Sequence, residues 1–285
     1  MERSDVAADR NVRAPVAGSP LCVHLWLFVV NQMETAPVIQ MDDVTVGSIH
    51  DPGIPTVEHV NWTVQLGDFW AVAGLQGSGK TDLLMMTASL MAPVQGQYLF
   101  LGEPMPIFDE ARLVHRLKLG LVFETGQLFN HLTVWENVAL PLRYHRNLSF
   151  EAAEDRVRPM LDAIELTPWA TSTPGALTRN WQKRVGLARA LILRPELLLL
   201  DNPLAGLDLR HLNWWLTFLN NLSKGSDLTS GRPMTLVVTT ADLTVWKGHA
   251  RQFGILRNKR FSALGAYDQI QSAERELVQE LLRET

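Results

Sequence analysis

The sequence of 285 residues has a single cysteine, Cys22. A disulfide framework of the kind that stabilises small secreted domains is therefore excluded, because an intramolecular disulfide needs two cysteines. One thiol in a chain of this length is typical of a reducing compartment, and we expect a cytoplasmic protein. With 46% hydrophobic residues, the chain can bury a core that needs no covalent cross-link.

Long apolar runs are also lacking. The closest approach, residues 21–30 (LCVHLWLFVV), falls short of the ~18 apolar residues that a transmembrane helix needs. Residues 1–20 have no net charge and no convincing cleavage site follows the apolar run, so a secretion signal is not predicted. We expect residues 1–32 to be an extension outside the fold, with Met33 as an alternative start codon, and residues 33–285 to be the folded domain. A short membrane-surface anchor is the alternative for the extension.

Two further absences narrow the function. The formal net charge is −4, whereas a nucleic-acid surface normally needs a basic stripe, so we expect no nucleic-acid partner. The eight histidines include no H-x-x-x-H or H-x-x-H pair, which leaves a zinc site unsupported. Internal repeats and low-complexity tracts are absent as well.

Short β-rich runs alternate with helical patterns along the chain. The predicted strands are residues 38–46, 57–66, 69–73, 120–123, 197–201, 235–239 and 253–256. The predicted helices are residues 80–91, 133–144 (with a kink at Pro141), 150–164, 181–193, 209–222 and a terminal helix over 270–282. Thr133 and Glu136 have the spacing of a capping box, and Ser149 is a candidate N-cap. This alternation predicts an α/β fold whose mostly parallel sheet is covered by helices on both faces.

The most specific motif is GLQGSGKT at residues 74–81, which fits G-x-x-x-x-G-K-[ST] between an apolar strand and a helix. Such a loop turns successive backbone N–H groups toward phosphate oxygens, and the following helix adds its N-terminal dipole. We expect Lys80 to contact the β- and γ-phosphates and Thr81 to bind Mg²⁺. The predicted nucleotide-binding residues here are Gly74, Leu75, Gln76, Gly77, Ser78, Gly79, Lys80, Thr81 and Asp82.

Three further segments decide between the phosphate-loop classes. They read GLVFETGQLFNHLTVWENV at 120–138, LTRNWQKRVGLARA at 177–190 and LLLLDNPLAGLD at 197–208. Together with the phosphate loop, they make the chain resemble the ABC ATPase family over residues 38–283. GTPases are excluded, because they need N-K-x-D and the only Asn-Lys pair is followed by Arg and Phe.

The resemblance implies a P-loop NTPase fold with an antiparallel β subdomain and an inserted helical subdomain at about 133–190. It also implies ATP and Mg²⁺ as cofactors, with Asp201 as a carboxylate that holds Mg²⁺ through water. The segments ENVALPLRYH and ILRNKR look most like the ATPases of bacterial lipid-asymmetry (Mla-type) transporters.

Several positions depart from the family pattern. The family's LSGGQ signature, which contacts the ATP of a partner subunit, is here Leu-Thr-Arg-Asn-Trp at 177–181. Thr178 keeps a hydroxyl, Arg179 supplies charge and Asn180 completes the predicted contact, but bulky side chains replace glycines. Asp208, in the family's D-loop, matches the pattern. No aromatic residue near 46–48 corresponds to the family's adenine-stacking side chain.

The catalytic positions are altered too. Asn202 stands where the family has the glutamate that activates water, and Ala241, with Thr240 as the other candidate, stands where it has histidine. Glu124 replaces the glutamine that contacts Mg²⁺ and couples to the permease. Three hypotheses remain open: Glu124 activates the water, it merely binds Mg²⁺, or these positions have drifted in a chain released from selection for turnover.

The sequence therefore predicts an ATP-binding subunit of an ABC transporter with slow hydrolysis. The expected partners are an integral membrane permease, which would hold the chain at the cytoplasmic face of a membrane, and a second ABC ATPase subunit. Residues 127–142 are either the groove for the permease or ordinary core. The Mla-type resemblance implies lipid as the cargo. The alternative is a hydrolysis-deficient regulatory or scaffold subunit of a transport complex.

Overall fold

The computed structural model describes residues 36–105 and 112–269. The predicted extension at 1–32 and the helix predicted over 270–282 lie outside these residues. Within the described part, strands and helices alternate along the chain. No helix in this part is long and apolar enough to cross a membrane.

Ten strands form one sheet with the order β5-β4-β1-β2-β10-β9-β3-β8-β7-β6. The strands are β1 (Ile39–Gly47), β2 (Pro55–Val64), β3 (Phe69–Gly74), β4 (Gln95–Phe100), β5 (Glu103–Pro104), β6 (Leu119–Val122), β7 (Leu197–Leu200), β8 (Thr235–Thr240), β9 (Gln252–Arg257) and β10 (Arg260–Gly265). All seven predicted strands are present, whereas β4, β5 and β10 were not predicted.

The parallel half of the sheet comprises β9, β3, β8, β7 and β6. Every residue of β3, β7 and β8 is buried, as expected for parallel strands that are covered on both faces. In a parallel arrangement the carboxyl ends of the strands meet at one edge, where ligands bind. This edge positions the site described below.

The other half of the sheet is mainly antiparallel. β1 pairs antiparallel with β2 and β4, and β4 with β5, while β10 forms a hairpin with β9 and pairs in parallel with β2. The hairpin turns at Asn258 and Lys259, whose φ angles are 49° and 61°. Positive φ at both central residues is the geometry of a type I′ hairpin, which explains why the chain reverses there.

The main α-helices of the described residues pack around the sheet. They are α1 (Lys80–Thr87), α2 (Leu113–Arg116), α3 (Val134–Arg146), α4 (Phe150–Ala163), α5 (Arg179–Leu191) and α6 (Leu209–Lys224). α2 was not predicted. The prediction that α1 extends to Met91 is wrong, because Ser89 adopts a left-handed conformation with φ 58° and ends the helical path.

The helices α3, α4 and α5 follow one another between β6 and β7. The capping box of α3 is confirmed: the Glu136 N–H donates to Thr133 Oγ1 at 3.2 Å, and the Thr133 N–H donates to Glu136 Oε2 at 2.7 Å. Ser149 caps α4 by accepting the Ala152 N–H at 3.3 Å. α3 includes Pro141 and continues to Arg146.

The sheet separates two hydrophobic clusters, as the alternation along β3 shows. Phe69, Ala71 and Ala73 belong to a cluster that includes residues of α3, α4, α5 and α6. Trp70 and Val72 belong to a second cluster with residues of α1, β1 and β2. Successive side chains of a strand point to opposite faces, so β3 contributes to both cores and fixes the loop that follows it.

Candidate nucleotide-binding site

The phosphate loop connects β3 to α1 at the carboxyl edge of the sheet. Gly77 and Gly79 have φ angles of 79° and 91°, a conformation that only glycine adopts without strain. A Cβ added to Gly79 would also lie 2.7 Å from Val57 Cγ2. The first N–H groups of α1 have no acceptor within the helix, so the loop presents backbone donors and a helix dipole together.

Lys80, the first residue of α1, folds back over this loop. Its Nζ donates hydrogen bonds to Gly74 O and, at 2.7 Å, to Leu75 O. Burial lowers the pKa of Lys80, and the charges of Asp201 and Glu124 partly oppose that shift. Ser78 Oγ is buried and has no hydrogen-bond partner among the described residues. A phosphate oxygen would supply an acceptor for such donors.

Asp201 follows β7 and is held by two hydroxyl groups. Thr81 Oγ1 donates to Asp201 Oδ2 at 2.9 Å, and Thr239 Oγ1 donates to Asp201 Oδ1 at 2.8 Å. Sequence analysis did not identify Thr239, although its position at the end of β8, the neighbour of β7, could have indicated it. The bonds link the phosphate loop to two strand ends.

Mg²⁺ prefers oxygen ligands, and the paired Thr81 hydroxyl and Asp201 carboxylate fit that preference. The described residues contain no group of three or more His, Cys, Asp or Glu side chains that could hold a metal by themselves. A magnesium ion here would therefore complete its shell with water and phosphate oxygens, as Mg²⁺ usually does.

Glu124 and Asn202 follow the adjacent parallel strands β6 and β7. Asn202 Nδ2 donates a hydrogen bond of 3.1 Å to Glu124 Oε2. Asn202 has a φ of 44°, in the left-handed region that asparagine tolerates better than most residues. Its backbone N–H donates to Thr239 Oγ1 at 3.0 Å, which joins it to the hydroxyl network of Asp201.

These elements enclose a cavity of about 430 Å³. Its lining comprises Gln76, Gly77, Gly79, Lys80, Thr81, Asp82, Glu124, Asp201, Asn202 and Ala241. The structure thus brings most of the predicted phosphate-loop residues together with the altered strand-end residues. Gly74, Leu75 and Ser78 belong to the same loop but do not line the cavity.

Two of the predicted positions have additional roles. Asp82 Oδ1 accepts the Ile49 N–H at 2.9 Å and so fixes the loop after β1 to α1. Thr240 Oγ1 is occupied by the backbone of Asp242, donating to its carbonyl at 2.9 Å and accepting its N–H at 3.1 Å. The residue that lines the cavity after β8 is consequently Ala241, which has only a methyl group.

The signature segment forms a separate group. Thr178 is the N-cap of α5 but makes no side-chain capping bond, and Arg179 begins the helix. Asn180 Nδ2 donates to Asp208 Oδ2 at 3.4 Å. Asp208 caps α6 by accepting the His211 N–H, and this bond is the main cause that lowers the pKa of Asp208. None of these four predicted residues lines the cavity.

Sequence analysis also missed two basic residues of α5. Lys183 Nζ donates to Ala205 O at 2.6 Å and so ties α5 to the loop after β7. Burial lowers the pKa of Lys183, against the opposing charges of Glu124 and Asp201. The other residue, Arg184, is buried, and its guanidinium lies over the rings of Trp181 and Trp214. The segment QKRV, quoted above for its family resemblance, was the available signal.

Comparison with known proteins identifies the family to which a chain with this site belongs. The sequence pattern of the ABC transporter family matches residues 57–205, more than half of the chain. The chain belongs to the ABC transporter ATPase family. Membership confirms the predicted phosphate-loop α/β fold and the interpretation of the chain as a nucleotide-binding subunit.

Individual relatives agree with this assignment. The intermembrane phospholipid transport system ATP-binding protein MlaF of Escherichia coli (strain K12) is 32% identical over 216 residues, which span 75% of this chain and 78% of MlaF. The MlaF protein of Haemophilus influenzae is 30% identical over 230 residues, 80% of this chain and 85% of that protein. The spermidine/putrescine import ATP-binding protein PotA of Trichormus variabilis is 37% identical over 175 residues, 61% of this chain and 45% of PotA.

Among solved structures, a dimeric ATP-binding cassette in a post-hydrolysis state with ADP and Pi is similar to this ABC ATPase. The TM-score is 0.69 at 28% sequence identity, with 80% of this chain and 100% of that cassette covered. The similarity to MlaF bears out the Mla-type resemblance seen in the sequence.

Proposed function

We propose that this ABC ATPase binds Mg·ATP in the 430 Å³ cavity and uses ATP binding and slow hydrolysis to drive transport through an integral membrane permease. The observation that carries the proposal is the convergence of Lys80 with the Thr81–Asp201 pair on one cavity. It combines a phosphate-binding cation with oxygen ligands for Mg²⁺.

Different residues of the site bind the phosphates and the magnesium ion. Backbone N–H groups at Gly77 and Gly79 surround the phosphates, and Lys80 adds positive charge to them. Thr81 and Asp201 would hold Mg²⁺, which would supply positive charge to the phosphate oxygens.

The adenine needs a different surface. The loop after β1 has two exposed aliphatic side chains, Ile49 and Ile54, with exposed fractions of 42% and 55%. Ile49 is fixed to α1 through the bond between its N–H and Asp82. This bond holds the Ile49 backbone next to Asp82, which lines the cavity, and we expect the Ile49 side chain to pack against one face of the base.

Slow hydrolysis follows from the substituted positions. The Asn202 carboxamide cannot accept a proton from water, and Ala241 has no group to hydrogen-bond a phosphate. The base at the family's position is therefore missing, and complete loss of a general base costs roughly 10²–10⁴ in rate, so a base displaced to another position is expected to leave hydrolysis slow. In a dimer each ATP would also contact the partner's signature segment, and here Arg179 and Asn180 replace the family's glycines. Both contributions of this chain to the dimer are thus altered.

The partner and cargo follow from the relatives. MlaF belongs to an intermembrane phospholipid transport system, and a phospholipid is the cargo that this similarity favours. Dimerisation with a second ABC ATPase subunit would bring two phosphate loops and two signature segments together. A groove of about 330 Å³ on α3, lined by Leu140, Arg143 and Tyr144 among others, would receive the permease. Tyr144 is 78% exposed there.

A second function is favoured by the same substitutions. With Asn202 and Ala241 at the cavity, the protein could bind ATP without turnover and act as a regulatory or scaffold subunit of a transport complex. The two functions share nucleotide binding and differ in hydrolysis.

One experiment separates them. Binding of a fluorescent ATP analogue and release of phosphate are measured on the purified chain, alone and with a copurified permease, for wild type and Lys80→Ala. The matched control is Lys118→Ala, which removes an exposed lysine paired with Glu196 outside the cavity. Binding and phosphate release that both require Lys80 support the transport ATPase. Lys80-dependent binding without phosphate release supports the scaffold, and binding that is indifferent to Lys80 contradicts both.

A further inference from the structure

The ends of β6 and β7 hold a carboxylate and a carboxamide in direct contact. Glu124 uses Oε2 to accept the hydrogen bond from Asn202, at 3.1 Å. Among the described residues, no partner hydrogen-bonds its other oxygen, Oε1. Both side chains line the cavity that contains the phosphate loop.

The other acidic groups at this cavity are engaged elsewhere. Each carboxylate oxygen of Asp201 accepts a hydrogen bond from a threonine hydroxyl, Thr81 or Thr239. Asp82 accepts the N–H of Ile49 and is thereby bonded to the loop after β1. Of the described acidic residues that line the cavity, Glu124 is the one in direct contact with Asn202, the residue next to Asp201.

Glu124 also belongs to the charge network of the site. It lies close enough to Lys80 and Lys183 to favour their charged forms, as Asp201 does. The glutamate therefore shares its electrostatic surroundings with the phosphate-binding lysine.

We propose that Glu124 is the proton acceptor for the attacking water and that Asn202 is the positioning residue that orients it. The proposal rests on the proposed function, because it assigns the base of that ATPase. The water oxygen forms a bond to the γ-phosphorus, the bond to the bridging oxygen breaks, and its electron pair leaves with ADP. The water proton moves to Glu124 Oε1 and then to solvent.

Asn202 suits this role chemically. Its amide N–H donates to one carboxylate oxygen and leaves the other free, and it adds no second negative charge beside Glu124. A carboxylate at both positions would place like charges in contact, which disfavours ionisation of one of them. The pair therefore supplies one ionisable base and one neutral partner.

The first test compares Glu124→Gln with wild type in single-turnover hydrolysis of Mg·ATP by the full chain. We expect a rate loss of roughly 10²–10⁴ and no fall in rate at low pH, that is, no acidic limb in the pH–rate profile. The affinity for a fluorescent ATP analogue should change by less than about threefold. Glu196→Gln, on the surface outside the cavity, is the matched control and should keep the wild-type profile.

The second test exchanges the pair. In Glu124→Gln/Asn202→Glu the donor and the acceptor of the hydrogen bond are reversed, and a carboxylate that is one methylene longer than the asparagine side chain stands at the end of β7. We expect this double variant to hydrolyse ATP at least about tenfold faster than Glu124→Gln and to regain an acidic limb. Asn202→Ala should slow the reaction and keep the limb, because the base remains without its positioning partner.

Three results would overturn the proposal. The first is an unchanged rate and pH profile in Glu124→Gln. The second is a Glu124→Gln variant that needs more Mg²⁺ but reaches the wild-type rate at saturation, which would make Glu124 a magnesium ligand only. The third is a wild-type chain that binds ATP through Lys80 and shows no single turnover. A wild-type chain whose ATP binding does not depend on Lys80 would instead contradict the proposed function itself.

Discussion

Replacing Arg184 with alanine should destabilise the protein by about 2–4 kcal/mol. The Arg184 side chain is only 2% exposed. Its guanidinium carbon lies 3.6 Å from the ring centroid of Trp214 and 4.5 Å from that of Trp181. Each desolvated cation–π contact contributes about 1–2 kcal/mol, so the two rings account for the total. Arg184 thereby holds α5 to α6.

Its ion pair should matter less. Glu165 Oε2 lies 2.8 Å from Arg184 Nη1, but the Glu165 side chain is 55% exposed. In Glu165→Gln the side-chain carbonyl can still accept the Arg184 hydrogen bond, and a pair with an exposed partner contributes at most about 1 kcal/mol. Arg184 would keep both tryptophans and its hydrogen bond to His211 Nδ1 at 3.2 Å.

The assay is urea or thermal unfolding of wild type, Arg184→Ala and Glu165→Gln, followed by tryptophan fluorescence. For a chain of this size, about 2–4 °C of melting temperature corresponds to 1 kcal/mol. We expect Arg184→Ala to melt roughly 5–15 °C below wild type and Glu165→Gln less than about 4 °C below it. Equal losses in the two variants would refute the assignment of the free energy to the aromatic contacts.

Three other predictions concern His211, Gly186 and Ile49. Burial and the charge of Arg184 lower the pKa of His211, so the folded state favours the neutral ring; this stability is present above the usual histidine range and is lost as pH falls through it. Wild type should therefore lose more unfolding free energy between pH 7.5 and 5.5 than His211→Asn, as urea titrations at the two pH values will show. Gly186→Ala should cost about 1–3 kcal/mol, since its Cβ would lie 2.9 Å from Gly126 Cα, whereas Gly175→Ala, with no atom within 4 Å, should leave the melting temperature unchanged. Ile49→Ala should weaken ATP binding several-fold without altering binding of inorganic triphosphate, and equal loss for both ligands would exclude a contact with the base.

The sequence predicted those parts of the site that depend on local patterns. The phosphate loop is contiguous, so its motif located it directly, whereas the resemblance to the ABC ATPase family singled out Asp201 and Glu124, each of which follows an apolar strand. The capping box at Thr133 was predictable for the same reason, because it needs only a fixed spacing of three residues.

Features that depend on tertiary contact could not be predicted in this way. The Glu124–Asn202 bond joins residues 78 positions apart, and nothing in either segment indicates that their side chains meet. Trp214 reaches Arg184 from another helix. β4 and β10 were missed because they are stabilised by neighbouring strands, and the early end of α1 depends on the backbone conformation of Ser89.

The most direct test of the account is the dissociation constant of Mg·ATP, measured by isothermal titration calorimetry on wild type and Lys80→Ala. Lys80 contributes charge-assisted hydrogen bonds of about 1.5–3 kcal/mol, so its loss should weaken binding roughly 10- to 100-fold. Omitting Mg²⁺ should also weaken binding to wild type. Equal affinity in both proteins, with no dependence on Mg²⁺, would contradict the assignment of this cavity as the nucleotide site.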